Sequence, residues 1–125
     1  MIHLDTSILV DALTGRRRSA WALRRVIEQG ERIAVSTIVL YEWLRGPRLP
    51  QELTAQEELV PREAATPFGA QEAVLAAELY GKVRRPRGRE IDLAIAACAL
   101  AAAAAFWTLN TDDFRDVPDL RLFIP

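Results

Sequence analysis

The chain has 125 residues and a mass of 14.0 kDa, enough for one domain that buries roughly two-thirds of the surface its unfolded form exposes. Half of the residues are hydrophobic, which excludes a disordered chain, and a net charge of −1 excludes a bulk polycation. The single cysteine, Cys98, excludes an internal disulfide and reads as a small buried hydrophobe in a reducing compartment.

Met1 leads straight into a strand-like run, so no secretory signal is expected. The run from Ala94 to Trp107, about 14 residues, is too short to span a bilayer, and a soluble, cytoplasmic protein is expected. All but one of the basic residues are Arg, clustered at Arg16–Arg18 and at Arg84, Arg85, Arg87 and Arg89. A guanidinium fork binds phosphate oxygens bidentately, although such clusters also serve as plain solvated surface.

In chain order, Ile2 to Asp5 reads as a strand ending in an acid, with Thr6 as N-cap of a helix that carries Ile8, Leu9, Ala12 and Leu13 and ends at Gly15. Ser19 is expected to cap a second helix that closes at Gly30. Arg32 to Val35 reads as a strand, and Ser36 or Thr37 as the cap of a helix running to Gly46-Pro47. A short helix is expected around Ala55 to Leu59. Ala64 to Phe68 reads as an edge strand, because Pro67 cannot donate to a ladder. Ala70 to Val83 is an amphipathic helix, Arg85 to Arg89 a loop, and Glu90 to Ala104 an Ala-rich helix suited to close packing on a sheet. Strands at Ala105 to Leu109 and Leu122 to Ile124 flank a polar turn. Strands alternating with helices imply a single α/β domain over residues 1–125, with a parallel sheet covered on both faces.

Ligands of such sheets sit outside the carboxyl ends of the strands. Asp5 and the Asn110-Thr111-Asp112-Asp113 turn lie at such ends. Asp5 has a competing role as a helix cap, which Thr6 or Ser7 could fill instead. Glu42 follows Ile38 and Val39 at helical spacing and is expected to turn away from solvent, with an ion pair to Arg45 as the alternative. Asp92 shares a face with Ile95, Ala96 and Ala99, although an acid in a first turn also suits the helix dipole. Together these residues make an oxygen-rich site for a hard divalent cation. His3 is the only histidine, which argues against zinc. Trp21, Trp43, Phe68, Tyr80 and Phe106 read as core rather than as a stacking platform.

With those residues in view, the chain resembles the PIN-domain family, and within it the VapC-like toxin ribonucleases. The resemblance rests on Leu4-Asp5-Thr6-Ser7, on Ser36 through Glu42-Trp43-Leu44-Arg45-Gly46, on Ile91-Asp92-Leu93-Ala94-Ile95-Ala96-Ala97 and on Thr108-Leu109-Asn110-Thr111-Asp112-Asp113-Phe114. It implies a three-layer PIN-like fold with four to five parallel strands and a Mg²⁺- or Mn²⁺-dependent endoribonuclease. Asp5, Glu42 and Asp92 match the family's core acids. Asn110 occupies the usual place of a fourth acid, so Asp112 or Asp113 would supply the missing charge. Thr6, Ser7 and Thr108 would orient carboxylates or water. Hydrolysis by in-line attack would expel the ribose 3′ oxygen and leave a 5′ phosphate. Arg84, Arg85, Arg87 and Arg89 are expected to position the backbone of a single-stranded RNA.

For a toxin, the resemblance also implies a homodimer and a cognate VapB-like antitoxin that covers the acidic pocket with a basic side chain. Two alternatives stay open: a housekeeping PIN nuclease, and a PIN-like binding module without catalysis, for which Asn110 is the warrant. A receiver domain would need adjacent acids after the first strand and a late Lys. Here Asp5 stands alone and the one lysine, Lys82, lies in a helix.

Overall fold

In the computed structural model, which describes residues 1–125, the first strand is also the central one. Strand β1 (Ile2–Leu4) pairs in parallel with β2 (Ile33–Ala34) on one side and with β3 (Ala105–Trp107) on the other, giving the order β2-β1-β3. Successive strand residues point to opposite faces, yet Ile2, His3 and Leu4 are all buried, so both faces of β1 are covered. Helix α1 (Thr6–Leu13) packs against α2 (Ala20–Glu28), α3 (Thr37–Arg45) and α4 (Pro50–Leu59). Helices α5 (Ala70–Lys82) and α6 (Glu90–Ala101) pair with each other, and α6 also contacts α3, β3 and the short α7 (Thr111–Phe114).

The sheet has three strands where four to five were expected. The two missing strands shrink to single parallel bridges, Ser36 with Thr66 and Phe106 with Leu122. Pro67, which has no N–H to donate, follows the first, and β3 itself ends at Trp107 beside the second.

Helix α6 stops at Ala101, short of the expected Ala104, because Ala103 takes a left-handed conformation (φ 53°) that turns the chain into β3. Helix α4 is longer than expected: Pro50 starts it, and the Glu52 side chain reaches back to the Leu49 N–H at 2.8 Å. The polar turn after Asn110 contains α7.

Of the three caps read from the sequence, the one at α3 is as expected and those at α1 and α2 differ. Asp5 itself caps α1, and Thr6 is the first helical residue. Ser36 caps α3 by accepting from the Val39 N–H at 3.1 Å. Ser19 precedes α2, but its hydroxyl donates to Asp11 at 2.5 Å instead of capping. Trp43 and Phe106 are core, whereas Trp21 is 66% exposed under the Arg25 guanidinium and Tyr80 is also exposed. Burial pushes the Cys98 thiol up to about 11 and the His3 imidazole down to about 4, so both stay neutral. No helix is long and apolar enough to cross a membrane.

Candidate active site

Asp5 ends β1, and its backbone N–H donates to the Trp107 carbonyl at 2.9 Å, carrying the β1–β3 pairing one residue further. Its carboxylate is buried and hydrogen-bonded at both oxygens, with acceptor capacity left on Oδ1. Oδ1 accepts the Thr6 N–H at 2.9 Å; Oδ2 accepts the hydroxyls of Ser7 at 3.0 Å and Thr108 at 2.7 Å. Those hydroxyls accept in turn: Ser7 Oγ from the Leu109 N–H, and Thr108 Oγ1 from the Asn110 N–H, each at 3.0 Å. The network ties the start of α1 to the segment leaving β3. Burial raises the Asp5 pKa, the bonds from Thr108, Ser7 and Thr6 oppose that rise, and the charge of Glu42 adds to it.

Glu42 lies one turn before the end of α3 and is partly buried. Its Oε1 accepts the Thr6 hydroxyl at 2.6 Å, and Oε2 lies 3.7 Å from Arg45. The Arg45 pair, named from the sequence as the alternative role, is therefore present, and Glu42 also lines a cavity rather than the apolar interior. Asp92, in the first turn of α6, makes neither a hydrogen bond nor an ion pair and is only half-buried. Burial and the charges of Asp5, Asp113 and Glu42 push its pKa up to about 6 against the pull of Arg89.

Asp5, Glu42, Asp92 and Asn110 line one cavity of about 580 Å³. Every donor among the four is an oxygen, the set that suits a hard cation such as Mg²⁺ or Mn²⁺ and not zinc. No three His, Cys, Asp or Glu residues are grouped closely enough to enclose a metal by themselves. A cation there would keep open positions for water and phosphate oxygens, as Mg²⁺ ordinarily does.

Asp112 and Asp113 line a neighbouring cavity of about 510 Å³ with Arg84, Arg85, Arg89 and Asp116. Asp112 is spoken for: its exposed carboxylate pairs with Arg115 at 2.9 Å. Asp113 has no side-chain partner and acts on Asp92 through its charge. Arg89 is committed to the protein. Nη1 and Nη2 donate to the two Asp116 oxygens at 2.9 and 2.6 Å, and Nη2 also donates to the Asp113 carbonyl at 2.8 Å. That fork clamps α7 and the residues after it to the N-terminus of α6, and it holds Asp116 below the usual carboxylate range. Arg84, Arg85 and Arg87 are exposed.

Two charged residues that line the Asp5 cavity were not singled out from the sequence, Asp11 and Arg48, and Arg45, named there only as a partner for Glu42, lines it too. Asp11 lies four residues after Ser7 on α1, a helical spacing that places both on one face. Arg48 carries no such signal, because it follows the helix and reaches the cavity through a loop.

The PIN domain family pattern matches residues 2–120. Ribonuclease VapC19 of Mycobacterium tuberculosis is 35% identical over 120 residues, covering 94% of this chain and 95% of that protein. Among solved structures, VapBC2 of Rickettsia felis, bound to a promoter DNA fragment, matches with a TM-score of 0.76 and 27% identity over 98% of both chains. DNA-bound VapBC of Salmonella typhimurium matches with a TM-score of 0.80 over 98% of this chain and 96% of that one; at 20% identity it speaks for the fold alone. The chain belongs to the PIN-domain family, on the branch of the VapC ribonucleases.

Proposed function

We propose that the chain is a divalent-metal-dependent endoribonuclease and the toxin of a VapBC-type toxin–antitoxin pair. The observation that carries the reading is Asp92: a half-buried carboxylate with no protein partner, beside the acids Asp5 and Glu42 in one oxygen-lined cavity. Asp5, Glu42 and Asp92 would hold Mg²⁺ or Mn²⁺, with the Asn110 amide oxygen as a further donor and Asp113 supplying charge from the neighbouring cavity.

When bound, the cation supplies positive charge to a phosphate oxygen and makes a water nucleophilic at neutral pH. The protein's own work is orientation. Thr108, Ser7 and Thr6 lock the Asp5 carboxylate, and Thr6 also locks Glu42, so neither must reorganise when substrate arrives. Arg84, Arg85 and Arg87, all exposed, would neutralise backbone phosphates. In-line attack would form a bond from a water oxygen to phosphorus as the P–O3′ bond breaks, with one water proton lost to solvent and the departing O3′ taking up a proton, leaving a 5′ phosphate and a 3′ hydroxyl.

The test is cleavage of a single-stranded RNA by the purified chain in Mg²⁺, in Mn²⁺ and in EDTA, with end analysis of the products. Cleavage at an equal rate in EDTA would overturn the metal mechanism, and calorimetry showing no binding of either cation would favour a module without catalysis.

A VapB-like antitoxin would set a basic side chain among Asp5, Glu42 and Asp92. An apolar segment of it would lie in the groove of about 400 Å³ between α1, α2 and α4, which Leu13, Leu23, Ile27 and Leu59 line and where Ile27 is the exposed one. Co-expression with a small reading frame directly upstream should relieve growth arrest; a housekeeping nuclease would cause no arrest to relieve. The chain would form a homodimer in solution, which light scattering after gel filtration reads directly. Tyr41 and Leu44, exposed on α3, offer apolar surface for it.

A further inference from the structure

The cavity that holds the acids also contains one cation that the protein leaves unpaired. Arg48 sits in the loop between α3 and α4 and lines the cavity with Glu42, Gly46 and Asp92. Its Nε donates to the Trp43 carbonyl at 2.9 Å, its Nη1 approaches the Pro47 carbonyl at 3.3 Å, and its plane lies 4.2 Å from the Trp43 ring centroid. Nη2 has no partner, and no carboxylate is within ion-pair reach. The neighbouring arginines differ: Arg45 pairs with Glu42, and Arg89 with Asp116.

Gly46 makes this placement sterically possible. Its φ of −76° is open to any residue, so its backbone does not require glycine. A Cβ there would lie 2.6 Å from Arg48 Nη2 and 2.8 Å from Cζ, so any larger residue would push the guanidinium out of its present position.

We propose that Arg48 is a substrate-positioning residue that holds a backbone phosphate flanking the scissile one, an assignment that rests on the ribonuclease reading above. A polyanion approaching three carboxylates gains most from a cation fixed in advance. The stem of Arg48 is already immobilised, so little side-chain entropy is lost on binding. Its separation from the acids places its phosphate next to, not at, the bond being cut. A purely structural role also exists, since Nε satisfies a carbonyl at the end of α3. That role leaves Nη2 unused.

The experiment compares wild type, Arg48→Ala, Arg48→Lys and Gly46→Ala on a fluorescent single-stranded RNA with Mg²⁺, reading kcat, KM and the salt dependence of binding by anisotropy. Arg48→Ala should raise KM about tenfold while kcat changes by less than about threefold. It should also reduce the slope of log affinity against log salt by about 0.7, one single-strand phosphate. Arg48→Lys should keep the slope and recover only part of KM. Gly46→Ala keeps the charge but displaces the fork, and should raise KM as well. Unchanged KM and slope in Arg48→Ala, whatever happens to its melting temperature, would overturn the assignment. If wild type cleaves no RNA in Mg²⁺ or Mn²⁺, the ribonuclease reading falls, and the anisotropy slope still decides whether Arg48 holds a phosphate.

Discussion

Asp5 and Asp92 face one cavity from opposite kinds of structure. Asp5 closes a strand, is buried, and has both oxygens hydrogen-bonded by Thr6, Ser7 and Thr108. Asp92 opens a helix, is half-buried, and has no partner. Burial raises the pKa of both, but only at Asp5 do hydrogen bonds pull it back. The strand-end corner is thus a rigid frame, and the helix-start corner holds the chemically uncommitted group. A preorganised site needs both, since a frame alone binds nothing and a free carboxylate alone has no fixed geometry.

The sharpest way to break this contrast is Asp92→Asn. Cleavage should fall by about a thousandfold or more, the loss typical of removing a group that acts in the transition state, with an unchanged circular dichroism spectrum. Activity above a tenth of wild type would place the uncommitted group elsewhere.

Thr108→Val attacks the frame. It removes the donor to Asp5 and the acceptor for the Asn110 N–H, and should lower unfolding free energy in urea by about 1–3 kcal/mol. Activity should fall with it. A variant as stable as wild type would show the network to be decorative.

The third test uses pH. The folded pKa of Asp92, about 6, lies above its ordinary 3.8, so its protonated form favours the folded state. That contribution is full below about pH 4 and is lost as pH rises through 6. Without metal at pH 7, Asp92→Asn should therefore be more stable than wild type by about 1 kcal/mol, discounted for its partial exposure. The gap should close below about pH 4. Cleavage should decline as pH falls through 6, with the midpoint moving lower as Mg²⁺ rises. A gap that is flat with pH would detach Asp92 from the electrostatics of its neighbours.

The smallest effect is expected at the Arg89 clamp. The pair with Asp116 is partly exposed, so Arg89→Ala should lose less than about 1 kcal/mol of stability and reduce cleavage a few-fold. Its salt slope for RNA should match wild type, whereas removing Arg84 and Arg85 should flatten it. A flattened slope in Arg89→Ala would return that residue to the RNA-contacting set named from the sequence.

Helix faces and strand ends were legible in the sequence because their signals are local: apolar spacing, caps and turn residues. The acids could be named for the same reason, since Asp5 ends an apolar run and Asp92 opens one. What escaped depends on contacts distant in sequence. Oδ2 of Asp5 is held by Thr108, and only pairing of β1 with β3 brings the two together. Arg89 looked like free positive charge until Asp116 was placed opposite it. Trp21 looked like core because an aromatic on a helical stripe usually is, yet the stripe's edge faces solvent under Arg25. The extra strands failed for a nearer reason: a β-prone run followed by proline can add a rung without adding a strand.

The central position of β1 has a consequence for the order of folding. Ile2–Leu4 is the strand that both other strands pair with, and its later partner, residues 105–107, joins only when a loop of about 100 residues closes. Until then Ile2–Leu4 has one neighbour at most, and the Asp5 carboxylate lacks its Thr108 hydroxyl. The frame around Asp5 is therefore a long-range feature, complete only once both ends of that loop have met and slow to form because of the entropy of closing it.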